Sequence, residues 1–176
     1  MQRGFTHVYC GDGKGKTTAA LGLGMRAWGC GLKVVLVQFL KDFPTGELIA
    51  LEQLKGFTVL RGKASGKLFT KDMSEEDKVA TKAIHDENLA RAISLVEDGT
   101  CDLLILDEAL DAYALGLLTE LPFQELVREK PANLELVITG HAPIDWINAN
   151  ADYVTEMKKR KHPYDIGIHA RKGIEF

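Results

Sequence analysis

The run Gly11-Asp12-Gly13-Lys14-Gly15-Lys16-Thr17-Thr18 constrains this chain more than any other stretch. A β-rich segment, Thr6-His7-Val8-Tyr9-Cys10, leads into it, and a helical stretch from Lys16 to about Trp28 leads out, closed by Gly29 and Gly31. Glycines let a backbone fold tightly enough for successive N–H groups to point at one anion. A helix that starts inside such a turn adds its positive end. Residues Gly11, Asp12, Gly13, Lys14, Gly15, Lys16, Thr17 and Thr18 are therefore expected to cradle phosphate. Lys16 would supply a mobile cation for the terminal phosphates, and Thr17 a hydroxyl for Mg²⁺. In the usual spacing another glycine stands five residues before Gly15, where this chain has Cys10.

The rest of the chain alternates short apolar runs with helical stretches. Strands are expected at Lys33 to Phe39, Phe57 to Leu60, Cys101 to Glu108, Leu134 to Thr139 and Tyr153 to Met157. Helices are expected from Ser74 to about Glu97, Leu110 to Leu117, Phe123 to Glu129 and Pro143 to Asn150. The Ser74-Glu75-Glu76-Asp77 start carries a capping serine and a carboxylate three residues on, and the spacing puts Val79, Ala83, Ala90 and Ile93 near one face. Alternation of this kind predicts an α/β fold, a mostly parallel central sheet flanked by helices, in a single domain over 1–176.

The apolar run Leu103-Leu104-Ile105-Leu106 ends in Asp107-Glu108. In a parallel sheet the carboxyl ends of the strands face one crevice, so this acidic pair would open on the same side as the glycine loop. A carboxylate in that place binds Mg²⁺ directly or through water, and Thr17, Asp107 and Glu108 are the expected metal ligands. An aspartate at a strand–helix junction also serves as a helix cap. The two elements alone specify a nucleoside triphosphate with Mg²⁺, not what is done with it.

With 45% apolar and 27% charged residues and a net charge of −3, the chain is not intrinsically disordered, and nothing in its overall charge favours a nucleic-acid partner. No apolar run approaches the ~18 residues that span a bilayer, and no secretory signal is visible at Met1 to Tyr9, so a cytoplasmic protein is expected. Cys10, Cys30 and Cys101 fit neither a disulfide framework nor a zinc site, and free buried thiols are the expectation. Trp28 and Trp146 are read as packing residues. The run Lys158-Lys159-Arg160-Lys161-His162 reads first as solvated surface.

Taken in order, further segments narrow the reading: Val37-Gln38-Phe39-Leu40-Lys41, Leu106-Asp107-Glu108, Ile138-Thr139-Gly140 and Ala151-Asp152-Tyr153-Val154-Thr155-Glu156-Met157. The end adds Lys161-His162-Pro163-Tyr164-Asp165-Ile166-Gly167-Ile168 and Ala170-Arg171-Lys172-Gly173-Ile174-Glu175-Phe176. From about Thr6 to Phe176 the chain resembles the P-loop class of ATP:corrinoid adenosyltransferases. The tail is the most specific part, because general P-loop ATPases lack it. The family's loop also lacks the first glycine. Where the family usually has arginine after Thr139-Gly140, this chain has His141.

The resemblance implies a P-loop NTPase-like fold and transfer of the 5′-deoxyadenosyl group of ATP to the cobalt of a reduced corrinoid, with triphosphate leaving. It implies Lys16, Thr17 and Glu108 as catalytic residues, Mg²⁺ or Mn²⁺ as cofactor and ATP as co-substrate. A corrinoid substrate, a reductase or flavoprotein electron donor and a homodimer are implied too. Phe69 is a candidate corrinoid contact, and His162 lies inside the tail motif as a candidate binding residue. The competing readings are a P-loop ATPase switch and a small-molecule kinase.

Overall fold

The computed structural model describes residues 3–62 and 72–175. Phe69 lies outside the described residues. Six strands form one sheet: β1 (Thr6–Cys10), β2 (Val34–Gln38), β3 (Phe57–Arg61), β4 (Leu103–Asp107), β5 (Glu135–Thr139) and β6 (Tyr153–Glu156). Their order is β3-β2-β4-β5-β1-β6, and every pairing is parallel. The helices are α1 (Lys16–Gly29), α2 (Gly46–Leu51), α3 (Glu75–Glu97), α4 (Ala109–Ala114), α5 (Glu120–Glu129) and α6 (Asp145–Ala149); a 3₁₀ turn follows at Pro163–Ile166.

The central strands are continuously apolar because both of their faces are covered. Val35, Val37, Leu104, Leu106, Leu136 and Ile138 point into one core with Leu89 of α3 and Phe123 of α5. Their neighbours Val34, Leu36, Leu103, Ile105 and Val137 point the other way, onto Ala20 and Ala27 of α1. Alternate residues thus feed two separate cores, and a run of valines and leucines satisfies both. Trp28 packs beside the α1 core and Trp146 beside the other, where its ring meets Tyr113 and Phe123.

Helix α3 starts as the sequence predicts. The Ser74 side chain accepts from the Asp77 N–H and the Asp77 side chain accepts from the Ser74 N–H. Its inward face differs from the expected one. Thr81, His85, Leu89, Ala92 and Val96 are buried, whereas Val79, Ala83 and Ala90 are exposed and Ile93 is half-buried. The apolar pattern misled because two inward positions are polar. Helix α2 has no counterpart in the sequence reading; it is six residues long, too short for a periodic signal. Cys10 and Cys101 are buried and free as expected, but Cys30, just after α1, is exposed.

The fold brings the carboxyl ends of β1, β2 and β4 to one rim, where Gln38 stands opposite Asp107 in the β2–β4 register. Two residues at this rim, Leu40 and Glu108, have left-handed backbones (φ 59° and 61°), and they alone do so among the described non-glycine residues. Such conformations cost free energy and gather where geometry is held for a purpose.

Candidate nucleotide-binding site

The loop after β1 has the strand–turn–helix setting that its sequence implies. Gly15, with φ +117°, stands at the N-terminus of α1. Lys16 folds back along the loop, and its Nζ donates to the carbonyls of Gly11 (2.7 Å) and Gly13 (2.9 Å). The ammonium is therefore held at the mouth of the loop by the loop's own carbonyls.

The glycines have a second reason for being there. The Gly13 N–H donates to the Met157 carbonyl at 2.7 Å, and the Met157 N–H donates to the Cys10 carbonyl at 2.8 Å. A Cβ at Gly11 would lie 2.3 Å from the Met157 oxygen, and one at Gly13 would lie 2.7 Å from it. The segment following β6 thus runs against the loop backbone too closely for any side chain. Asp12 adds a further tie: its Oδ1 accepts from the Lys159 N–H at 2.9 Å, and that bond holds the carboxyl below the usual aspartate range.

The acidic pair splits into two environments. Asp107 is fully buried. Its Oδ1 accepts from the hydroxyls of Thr17 and Thr139, both at 2.8 Å. Its Oδ2 accepts from Lys41 Nζ at 2.7 Å and Gln38 Nε2 at 3.3 Å. Thr139 also receives the Glu108 N–H at 2.9 Å, so β5 ties both acidic residues in place. Glu108 begins α4 without capping it through its side chain. Burial, then the nearby Asp107 carboxylate, push its carboxyl well above the usual range; Lys41 opposes this shift and Asp111 adds to it.

Lys41 was not among the residues assigned a role from sequence. Its Nζ lies 2.7 Å from Asp107 Oδ2, 3.2 Å from Thr17 Oγ1 and 3.9 Å from Glu108 Oε1. A cation thus sits among all three expected metal ligands. Those donors, a hydroxyl and two carboxylates, are the hard oxygens that suit Mg²⁺. Among the described residues no three His, Cys, Asp or Glu side chains gather as a metal cage. The donor set fits an ion completed by phosphate and water oxygens. Lys41, Gln38 and Thr139 stand in segments that carry the resemblance, but the sequence assigned them no role because their contacts depend on strand order: β2 and β5 flank β4, which no spacing reveals.

A cleft of about 300 Å³ joins loop residues 12–18, Glu108 and His162 to Ile174 and Glu175 of the tail. A second, of about 360 Å³, continues past Thr17 and Lys41 to Phe43 and Thr45, and Ile174 and Glu175 line it too. His162 accepts the Tyr164 N–H at Nδ1 (3.2 Å), starting the 3₁₀ turn. Across the tail Arg171 binds Glu175 through both backbone and guanidinium, which pushes the Glu175 carboxyl down to about 2. In the basic run, Lys158 pairs with Glu156 and Lys159 with Asp165, as solvated surface residues do. His141 is exposed; its carbonyl accepts from Gly11 and its N–H donates to Asp111. A larger apolar groove of about 700 Å³ lies between α3 and α5 and touches none of these residues.

Comparison with known proteins identifies the family. The family model for the ATP:corrinoid adenosyltransferases BtuR/CobO/CobP matches residues 2–176. A corrinoid adenosyltransferase of Escherichia coli strain K12 is 35% identical over 180 aligned positions, covering 99% of this chain and 87% of that protein. The corrinoid adenosyltransferase CobA of Salmonella typhimurium is 33% identical with the same coverage. A corrinoid adenosyltransferase of Pseudomonas aeruginosa is 33% identical, covering 99% of this chain and 85% of its own. With a P-loop-like sheet, an acidic rim and a full-length match, the chain belongs to the ATP:corrinoid adenosyltransferase family, a family of transferases.

Proposed function

We propose that this cleft transfers the 5′-deoxyadenosyl group of ATP to the cobalt of a reduced corrinoid, the triphosphate leaving as one unit. The observation that carries the reading is the convergence on one cleft of the glycine loop, the acidic rim and the tail residues His162, Ile174 and Glu175. The tail is the part that general P-loop ATPases lack, and here three of its residues line the cleft together with the loop. No observation favours an ATPase switch or a kinase.

The chemistry asks for little acid–base work. Cobalt(I) is the nucleophile and carries no proton, so no general base is required. The bond between carbon 5′ and its oxygen breaks as the cobalt–carbon bond forms, and the electron pair leaves with the triphosphate. The charge gathering there is the difficulty, and fixed donors aimed at it are the remedy. The Gly11 and Gly13 N–H groups are taken by His141 and Met157, so the donors are the other loop N–H groups, Lys14 and Lys16. Lys41 offers a further ammonium beside Thr17. Mg²⁺, held by Thr17, Asp107 and Glu108, would supply Lewis-acid stabilisation of the leaving phosphates. The Asp12 carboxylate ties down the tail while the residue still lines the cleft with the rest of the loop, and His162 lines it too.

Among the described residues no helix is long and apolar enough to cross a membrane. A cytoplasmic enzyme, working as a homodimer and supplied with electrons by a separate reductase or flavoprotein, completes the proposal. The test is spectroscopic. Reduced corrinoid with Mg²⁺ and ATP should give the adenosylated product under anaerobic conditions, and Lys16→Ala should abolish it. A wild-type protein that leaves the corrinoid spectrum unchanged would refute the reading.

A further inference from the structure

His85 is fully buried in α3 and has no part in the chemistry above. We propose that it is a positioning residue: it holds the Leu40 turn that aims Lys41 at Asp107 and Thr17. The inference rests on placing Lys41 in the nucleotide site.

Three consecutive residues leave β2, and each is fixed by a different partner. Phe39 donates its N–H to the Asp107 carbonyl at 3.0 Å, continuing the sheet. Leu40 donates its N–H to His85 Nε2 at 3.2 Å. Lys41 then reaches Asp107 with its ammonium. Between the first and third the chain turns through a left-handed leucine, φ 59°, which a branched side chain adopts only at a cost. Something must hold that turn, and His85 contacts it twice, since its ring also packs edge-on against Phe39 with centroids 5.2 Å apart.

The imidazole is itself oriented. The Leu40 N–H can only donate, so Nε2 must accept. The Leu117 carbonyl, 2.8 Å from Nδ1, can only accept, so Nδ1 carries the proton. The two partners thus fix one neutral tautomer and one ring orientation. If Leu40 loses its partner and relaxes toward the right-handed or extended region, the Cα–Cβ direction of residue 41 turns with it. The ammonium then leaves Asp107.

Two substitutions separate the two nitrogens. Glutamine carries its amide oxygen near the Nε2 position and keeps an acceptor for Leu40. Asparagine reaches only the Nδ1 position, keeping the Leu117 bond and leaving the Leu40 N–H unpaired. The readout is ATP binding in EDTA by calorimetry, which depends on neither metal nor corrinoid chemistry.

Lys41→Met should weaken ATP binding about tenfold, the ordinary worth of one charge-assisted contact. His85→Asn should weaken it by a similar factor, while His85→Gln stays within about twofold. The double variant His85→Asn/Lys41→Met should bind no more weakly than Lys41→Met alone, because both act through one ammonium. Adding Leu40→Gly to His85→Asn should recover affinity, since glycine adopts the turn without help.

Equal losses in His85→Asn and His85→Gln, or a full extra loss in the double variant, would overturn the proposal. Unchanged ATP binding in Lys41→Met would remove Lys41 from the site and the proposal with it, while leaving adenosyl transfer to its own assay. A further measurement needs no variant: the Leu40 amide should exchange slowly with deuterium, and exchange at the rate of an open loop would also overturn it.

Discussion

Glu108 meets two costs at once, a left-handed backbone and a carboxyl crowded by burial, Asp107 and Asp111. In the unfolded chain the carboxyl titrates in the ordinary range; in the folded chain it titrates higher. Stability is therefore lost as pH rises through the interval between the two values, because the folded state must then hold an unfavourable charge. Glu108→Gln removes that charge and keeps the shape. Its melting temperature should exceed that of the wild type at about pH 8 and match it near pH 4, as thermal unfolding at the two pH values would show. The same variant should need several-fold more Mg²⁺ for half-maximal turnover; an unchanged metal titration would shift the ligand role to Asp107. Lys16→Ala should lower turnover on the order of 100-fold or more while circular dichroism reports an intact fold, since in the proposed reaction the ammonium would meet charge developing on the leaving group. That Lys16, Thr17, Asp107 and Glu108 meet at one rim was legible because each stands at a fixed offset from a glycine or a strand end. Lys41 was not, because its partners lie 24 and 66 residues away.

The loop and the tail are one interlocked unit. Gly13→Ala would drive a Cβ to 2.7 Å from the Met157 carbonyl oxygen, a backbone atom that cannot move alone. The expected cost is about 1–3 kcal/mol of stability, with loss of ATP binding, read by denaturant unfolding and calorimetry. Asp12→Ala removes only the anchor at Lys159. Its melting temperature should change little, but the Lys159 amide should exchange faster with deuterium; unchanged exchange would mean that the tail is held by other contacts. Apart from α2, the strands and helices and, within a few residues, their ends were readable from the sequence, because glycine punctuation and apolar runs are local signals. The sequence pattern misjudged the inner face of α3, where Thr81 and His85 are buried. A polar residue facing inward satisfies its partners from other elements, as His85 does with Leu40 and Leu117, and no local pattern announces them. The contact between the tail and the loop was equally silent, since it depends on β6 lying beside β1.

The parallel sheet puts every strand's carboxyl end on one rim, and the order β3-β2-β4-β5-β1-β6 brings residues from β2, β4 and β5 to one carboxylate. The alternation of strands and helices announced such a sheet but not its order, which the residues at the rim depend on. In the proposed reaction that rim would stabilise charge on phosphates, a task common to phosphoryl transfer and to adenosyl transfer. What separates the two is which atom of ATP is attacked. The decisive measurement is a product analysis: the protein, Mg²⁺, ATP and a chemically reduced corrinoid are incubated without oxygen, and phosphate products and corrinoid are quantified together. Attack at carbon 5′ predicts triphosphate and adenosylated corrinoid in equal amounts, with little ADP and no triphosphate when the corrinoid is left out. Brisk ADP formation without any corrinoid, and no adenosylated product with it, would contradict the account.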